Sequence, residues 1–285
     1  MRKTVFALLS CLLAVSCIEN VDFGPELRRK LTVNCILSGN DSIQKLDLKY
    51  SGSVGDMFYD APEEADVRLY ADGAEVGRFE KESFARWTLD LEPEAGTTYR
   101  LEVKVPGEGE FSAETVMPAP APVVKRGYSS DQLKTYAQLH GAPPFWMFIT
   151  RGNSLERRIA TNHPYVDGFN ALDYIIFTDF GGNGHYPEHL GYLRIGETDF
   201  EDEMQFYVEG FQNNVVLVAR AVSPEYDRYL KSSLTKAMAY LDVNDPTRYL
   251  EENTVYCNIE GGLGIFGAFV DVRIPRNAYT DPPKP

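Results

Sequence analysis

A glycine-rich stretch near the carboxyl end has the residue types and spacing of a dinucleotide-binding loop. Residues 262–267 read Gly-Leu-Gly-Ile-Phe-Gly, which matches the Gly-x-Gly-x-x-Gly pattern at every position. In that pattern the glycines lead from a strand into a helix whose amino end holds a pyrophosphate. Here residues 269–274 have the composition of a strand instead. The glycines are therefore predicted to mark bulges or tight turns between two strands, and no cofactor is expected.

Two histidines four residues apart, His185 and His189, are the candidates for metal ligands. Imidazoles at this spacing converge on one metal ion when both lie on a helix. Pro187 lies between them and the glycine-rich residues 181–184 precede them, so a loop is predicted instead. A surface loop with incidental histidines is the favoured interpretation, and a metal site at this pair is the alternative.

Carboxylates cluster at residues 197–203, but their pattern does not predict a site. The cluster lacks the alternation and central glycine of a calcium-binding loop, so a solvated acidic face is expected. No serine lies in a Gly-x-Ser-x-Gly elbow, and neither Cys35 nor Cys257 lies in a recognisable nucleophile motif. No catalytic residue is predicted, and nothing in the motifs requires an enzyme.

The chain begins with the features of a secretory signal that ends at a cysteine. Met1-Arg2-Lys3 is a basic head, residues 5–15 are mostly apolar, and Ser16-Cys17 follows. The cysteine makes this segment similar to a bacterial lipoprotein signal, in which acylated Cys17 becomes the first residue. Cys11 is a rival position that would leave a shorter apolar stretch. An ordinary cleaved signal with an incidental cysteine is the alternative.

Lipidation at Cys17 would attach the protein to a membrane, because each buried methylene group contributes about 0.8 kcal/mol. The predicted segments are a signal peptide at residues 1–16 and an anchor with its tether at 17–29. No apolar stretch reaches the roughly 18–20 residues of a membrane-spanning helix. The net charge of −14 at pH 7 would repel phosphate groups, so nucleic acid is excluded as a partner.

Cys35 and Cys257 both lie in apolar, strand-like stretches. An exported chain could join them, but a disulfide needs Cα atoms about 4.4–6.8 Å apart, and a sequence does not establish that distance. Two buried free thiols are predicted in preference to a disulfide.

Alternating prolines divide the rest of the chain. Residues 117–122 read Met-Pro-Ala-Pro-Ala-Pro, which removes three backbone donors and favours an extended, semi-rigid spacer. No strand is expected to be shared across it, because proline cannot donate to a ladder. The alternative is that the first strand, residues 30–37, pairs with the later part and brings Cys35 near Cys257. The predicted first domain, linker, second domain and tail are residues 30–117, 118–122, 123–277 and 278–285.

The fold is predicted to be mainly β, beginning with a sandwich of the immunoglobulin or fibronectin type. In residues 99–105, apolar side chains alternate with Arg, Glu and Lys, which indicates a half-buried antiparallel strand. Asp72-Gly73 is a hairpin signal. Residues 91–99 resemble the approach to the tyrosine-corner strand of such sandwiches.

The second domain is predicted to be a larger antiparallel β domain with one packed helix. Aromatic and β-branched residues indicate strands at residues 146–150, 171–178, 204–211 and 215–221. Ser223-Pro224-Glu225 is a favourable helix start, with a capping serine and proline in the first turn. Apolar residues then recur at helical spacing, so a helix near 224–241 is expected to lie on a sheet.

Several stretches resemble a family of Bacteroidota lipoproteins known as domain of unknown function 4249. The most specific is residues 255–268, which contain Asn-Ile-Glu-Gly-Gly-Leu-Gly-Ile-Phe-Gly. Cys35 and Cys257 depart from the pattern, which has glycine or a small polar residue there. The supporting features are Cys17 and residues 31–37, 94–99 and 223–230.

The resemblance implies an outer-membrane lipoprotein that is an accessory or ligand-capturing partner of a TonB-dependent receptor, and it carries over no catalytic residue. Asp41-Ser42-Ile43 also resembles an O-glycosylation acceptor of the same phylum, so Ser42 is a candidate modification site. A non-enzymatic role is therefore expected. The alternatives are a hydrolase of glycan or peptide in the second domain and a structural envelope protein. Whether the protein faces the periplasm or the cell surface stays open.

Overall fold

The structure is a computed structural model that describes residues 30–51, 60–129, 134–139, 144–150, 159–161, 166–167, 193–196, 204–209, 216–241 and 254–275. Within these ranges the chain forms strands and one helix, α1 (Pro224–Leu241). The predicted signal peptide, tether and tail lie outside them. The strands are β1 (Leu31–Ser38), β2 (Ile43–Tyr50), β3 (Asp66–Ala71), β4 (Ala74–Arg78), β5 (Glu80–Lys81), β6 (Arg86–Asp90), β7 (Thr98–Val105), β8 (Gly109–Val116), β9 (Val123–Ser129), β10 (Lys134–Leu139), β11 (Phe145–Thr150), β12 (Ile159–Thr161), β13 (Val166–Asp167), β14 (Leu193–Ile195), β15 (Met204–Glu209), β16 (Val216–Val222) and β17 (Leu263–Pro275).

The strands form three sheets. The large sheet has nine strands in the order β13-β14-β11-β16-β17-β1-β2-β6-β5. The first small sheet has the order β4-β3-β7-β8, and the second small sheet has the order β12-β15-β10-β9. The pair β1–β17 is parallel, and the other described pairs of strands are antiparallel. The predicted fold, mainly β with one packed helix, is confirmed.

The first small sheet packs on one end of the large sheet and forms the first lobe, a β-sandwich. Along β1 and β7 every second side chain is buried, because alternate residues of a strand point to opposite faces. The Glu94 backbone N–H donates a hydrogen bond of 2.9 Å to the Tyr99 hydroxyl, which is the tie of a tyrosine corner. The predicted sandwich is therefore present. Its core includes Val33, Cys35, Leu69, Leu101 and Phe266.

The second small sheet packs on the same face of the large sheet, farther along, and forms the second lobe. Its core includes Leu139 of β10, Met147 of β11, Leu217 of β16 and Ile274 of β17. Helix α1 covers the opposite face of the large sheet, where Trp146, Val222, Tyr226 and Leu234 are buried together. No helix in the described part of the chain is long and apolar enough to cross a membrane.

Strand β17 belongs to both lobes. Residues 263–269 pair with β1, and residues 269–275 pair with β16. The expectation that no strand is shared across residues 118–122 is therefore wrong. The physical reason is that proline limits pairing only in the segment that contains it, and the shared strand comes from the far end of the chain. The alternative pairing of the first strand with the later part is the observed one, and Cys35 lies beside Phe266.

The proline-rich segment is packed at both ends instead of forming a free spacer. Met117 is buried in the core of the first lobe, and Ala121 is buried in the core of the second lobe. Between them, Ala119 and Pro120 are exposed. The segment therefore crosses the boundary between the lobes along their surface while each end is held by a different core.

Candidate functional site

The glycine-rich segment begins β17 at the point of closest approach to β1. Gly264 has φ +116°, and a Cβ on it would lie 2.0 Å from the Val33 carbonyl oxygen. Residues other than glycine rarely adopt this φ, and no Cβ atom approaches a backbone oxygen so closely. Gly264 and Gly267 lie inside β17, whose register with β1 is continuous, so the prediction that the glycines mark bulges or tight turns between two strands is wrong for these two residues. The helix that a dinucleotide loop would need does not follow.

Gly267 provides the seat for the helix. A Cβ on this residue would lie 2.8 Å from the Cβ of Tyr226 and 3.3 Å from its Cα. Helix α1 can therefore rest directly on the strand at its first turn. The Tyr226 ring packs beside Phe269, with ring centroids 6.1 Å apart.

Side chains complete the hydrogen bonding of β17 where β16 does not reach it. Asn258 Nδ2 donates to the Phe266 carbonyl at 2.8 Å, and the Phe266 N–H donates to Asn258 Oδ1 at 2.9 Å. Ser223 Oγ accepts from the Ala268 N–H at 3.2 Å, while the Ser223 N–H donates to the Ala268 carbonyl. A buried backbone group left without a partner costs about 1–3 kcal/mol, so these contacts stabilise the edge of β17 that no neighbouring strand pairs with.

Asn40 does the same on the other side, where β1 has ended. Its Nδ2 donates to the Asp271 carbonyl at 2.9 Å, and its Oδ1 accepts from the Asp271 N–H at 2.7 Å. An asparagine amide carries both a donor and an acceptor, so it can replace a peptide group of a missing neighbouring strand. Asn40 and Asn258 thus extend the ladders on opposite edges of β17.

Ser223 has a second role as the cap of α1. Its Oγ accepts a hydrogen bond from the Tyr226 N–H at 3.3 Å, which is the contact expected of a capping serine. The predicted helix start is therefore confirmed. One buried hydroxyl joins the start of the helix to the middle of β17.

A row of polar and aromatic side chains crosses the face of the large sheet under α1. By register, Arg194 of β14 lies opposite Trp146 of β11, which lies opposite Arg220 of β16, which lies opposite Asp271 of β17. Arg220 donates to both Asp271 oxygens, at 2.7 and 2.9 Å. Its guanidinium also stacks 4.0 Å from the centroid of the Phe269 ring. The row joins four strands side by side.

Helix α1 is tied to this row by Asp227. Its Oδ1 accepts bonds from Arg194 Nε at 2.7 Å and from the Trp146 indole N–H at 2.9 Å. Its Oδ2 accepts from Arg194 Nη2 at 2.6 Å. The Asp227 side chain is 9% exposed and that of Arg194 is 15% exposed, so the pair is largely out of water. Such bidentate contacts fix geometry, and their role here is to hold the helix in place.

An open groove of about 610 Å³ lies at the end of the first lobe that carries the turn between β7 and β8. A hydrogen bond from Arg68 lowers the pKa of Asp66, and a hydrogen bond to Glu110 raises the pKa of Lys104. The carboxylates of Asp66 and Glu110 are therefore each already paired with a basic side chain. The groove lining includes Glu64, Asp66, Lys104, Gly107 and Glu110.

Most of the residues singled out in the sequence lie outside the part of the chain that the structure describes. Cys17, His185, His189 and the acidic residues 197–203 lie outside the described residues. Ser42 is exposed in the turn between β1 and β2, and its glycosylation stays a prediction. Among the described residues, no group of three or more His, Cys, Asp or Glu side chains is arranged to hold a metal ion.

Both remaining thiols are free. Cys35 is buried in the core of the first lobe, and this burial, with a smaller effect of Asp47, raises the pKa of its thiol. Cys257 is exposed, so the expectation of two buried thiols is wrong for this residue. Cys257 lies in residues 254–259, which form no strand. Outside a sheet, the apolar character of this stretch did not require the thiol to be buried.

The row under α1 was not predicted from the sequence. Alternation in β16 and β17 puts Arg220 and Asp271 on the face opposite the lobe cores, which is a readable signal. Asp227 follows Tyr226 at the edge of the apolar stripe of the helix, which is a second signal. Neither signal shows that the helix covers the charged face.

The fold and the junction can be compared with known proteins. No curated protein sequence matches the chain. A solved structure from Corynebacterium diphtheriae, described as that of a membrane-anchored protein, is similar at 9% identity and a TM-score of 0.21. The match covers 68% of this chain and 54% of that chain, so this chain spans about half the length of that protein. The family model described as Domain of unknown function (DUF4249) matches residues 19–274, a range that contains the helix and every described strand except the last residue of β17. The chain therefore belongs to this family.

Proposed function

We propose that the protein is a non-enzymatic, lipid-anchored protein of the outer membrane that acts as an accessory or ligand-capturing partner of a TonB-dependent receptor. Cys17 is the proposed point of acylation. The first lobe would stand next to the anchor, and the second lobe would present the surface that meets the receptor or its ligand. The lipoprotein-like signal and the family resemblance support the proposed location at the outer membrane.

The observation that carries the proposal is the sharing of β17 between the lobes. The described chain begins at Lys30, close in sequence to Cys17, and continues directly into β1. Strand β17 has 13 residues. At about 3.3 Å per residue it is ~43 Å long. A second lobe held on one continuous strand keeps a fixed position relative to the first lobe, which suits a protein that presents a surface to a neighbour in the same membrane.

The bonding of the buried charges supports a role without catalysis. Asp227 and Asp271 each receive two hydrogen bonds from one guanidinium, and Asp227 also accepts from Trp146. Carboxylates bound in this way have their oxygens committed to holding the helix and the strands. A general base or nucleophile must instead reach the reacting atom of a substrate.

The test is an affinity pull-down of the tagged protein from native outer membrane, followed by mass spectrometry. Cys17→Ala should release the protein into the soluble fraction and remove the receptor from the recovered material. Cys11→Ala is the matched control, because it removes the rival cysteine and leaves the proposed anchor. Recovery of no TonB-dependent receptor with the parent protein would contradict the proposed partner. Turnover of glycan or peptide by the purified chain would favour the hydrolase.

A further inference from the structure

The pairing of β1 with β17 has a direction that matters when the protein is pulled. The seven register pairs run from Thr32 with Leu263 to Ser38 with Phe269, and the strands are parallel. The chain reaches β1 from the amino-terminal side, at Lys30. Strand β17 runs in the same direction as β1, passes the carboxyl end of β1 and continues into the second lobe. The first lobe therefore connects to the anchor side through the start of β1 and to the second lobe through the end of β17.

Strand β1 is bonded on both edges. On the edge away from β17 it pairs with β2 in an antiparallel ladder from Leu31 with Tyr50 to Cys35 with Leu46. Both ends of β1 are extended by further backbone hydrogen bonds. The Ser51 N–H donates to the Lys30 carbonyl at 2.8 Å, and the Gly39 N–H donates to the Phe269 carbonyl at 2.9 Å. A central strand bonded over its whole length resists being drawn out along its axis.

We propose that the β1–β17 pair is a mechanical clamp that carries tension between the amino-terminal tether and the second lobe. Tension pulls β1 towards its amino end and β17 towards its carboxyl end. Parallel strands pulled in this way must slide past each other, so the hydrogen bonds of the ladder are loaded together. Strands pulled apart from one end instead lose their bonds one after another. Only the source of the tension, an anchor at Cys17, rests on the proposed function.

Sliding is also opposed by side-chain packing. A shift of one residue would move Val33, Cys35 and Leu37 from the core to the outer face, because side chains alternate along a strand. Gly264 adds a steric stop, since its neighbours would have to pass the Val33 carbonyl with which only glycine is compatible. Beyond the ladder, the Arg220–Asp271 pair joins β17 to β16, so the tension passes on into the second lobe.

The test is force spectroscopy on the chain from residue 17 to 285 in two pulling geometries. Handles on Cys17 and on R273C shear the ladder. In a second chain, with Cys17→Ser, the handles are on S42C and R273C. Both positions lie beyond the carboxyl end of the ladder, so the force peels β1 from β17 starting at that end. Arg273 and Ser42 are both exposed, and Cys257→Ser removes the remaining exposed thiol. Circular dichroism of each variant establishes that it is folded before it is pulled.

At equal loading rate, the rupture force should be several-fold higher in the sheared geometry than in the peeled geometry. Equal forces, or a lower force in shear, would overturn the clamp. The experiment uses no membrane and no receptor, so its result does not depend on lipidation. Failure of the anchoring proposal would instead appear as unchanged fractionation of Cys17→Ala in cells.

Discussion

The two halves of β17 are held in different ways. Residues 263–269 lie in a parallel ladder with β1, with Gly264 against the β1 backbone and Phe266 in an apolar core. Residues 269–275 lie in an antiparallel ladder with β16, where Asp271 forms a partly buried ion pair with Arg220. The first half is specified by shape, and the second half adds specific charge pairing. A single strand can therefore join two lobes, each with its own apolar core, through two different kinds of contact.

The largest effect is expected when the first lobe is deprived of β17. Residues 18–117 expressed alone should be molten, because Phe266, Ala268 and Val270 of β17 are part of the core of this lobe. Thermal unfolding and proteolysis of the fragment are the measurements. Adding a peptide of residues 255–275 should restore protection. A fragment that unfolds cooperatively without the peptide would show that the shared strand is dispensable.

The next largest effect is expected at Gly264. Gly264→Ala should lower the free energy of unfolding by roughly 3 kcal/mol or more, because it combines a strained φ with a backbone clash. Gly96→Ala is the matched control, since Gly96 also has positive φ, +83°, but a Cβ there meets nothing within 4 Å. Chemical denaturation of the two variants separates strain from close approach. Equal losses would mean that the approach to Val33 contributes nothing.

A smaller but still substantial effect is expected in the second half of the comparison. Asp227→Ala should cost about 2–3 kcal/mol, because it removes the carboxylate that accepts hydrogen bonds from Arg194 and from the buried Trp146 indole. Thr235→Ala, on the exposed side of the same helix, should change stability by less than about 0.5 kcal/mol. Denaturant titration of both variants is the measurement. A loss of stability at Asp227 no greater than that at Thr235 would show that this charge pairing does not stabilise the second lobe.

The smallest effect concerns reactivity rather than stability. In a chain without Cys17, Cys257 should react quickly with a thiol reagent, whereas Cys35 should react only as fast as β1 separates from β17. Burial raises the pKa of the Cys35 thiol, so little thiolate is present near neutral pH, and the folded core also blocks access. Gly264→Ala should accelerate the reaction of Cys35. Rapid reaction of Cys35 in the parent chain would indicate that the ladder opens readily.

Local patterns predicted the local structure well. Alternation over residues 99–105 gave the correct strand, and the approach to Tyr99 gave the correct corner. Ser223-Pro224-Glu225 gave the correct helix start. Each of these features depends on neighbours within a few residues, so its physical cause is visible in the sequence.

The features that join the lobes were beyond such patterns. Thr32 and Leu263 pair across more than two hundred residues, and their sequences do not specify one another. Strand alternation places Arg220 and Asp271 on one face, but only the packing of α1 decides that this face is covered. The predicted loop with His185 and His189 and the predicted strand at 171–178 lie outside the described residues and stay predictions.

The shared strand is expected to make the two lobes one cooperative unit, and the chain offers a direct reporter in each lobe. It contains two tryptophans, of which Trp87 is buried in the first lobe and Trp146 is buried under α1 in the second. Denaturant unfolding of Trp146→Phe and Trp87→Phe, followed by fluorescence and circular dichroism, reports each lobe separately. We expect fluorescence and circular dichroism to give coincident transitions in both variants. Two separated transitions, with one lobe unfolding while the other stays folded, would contradict it.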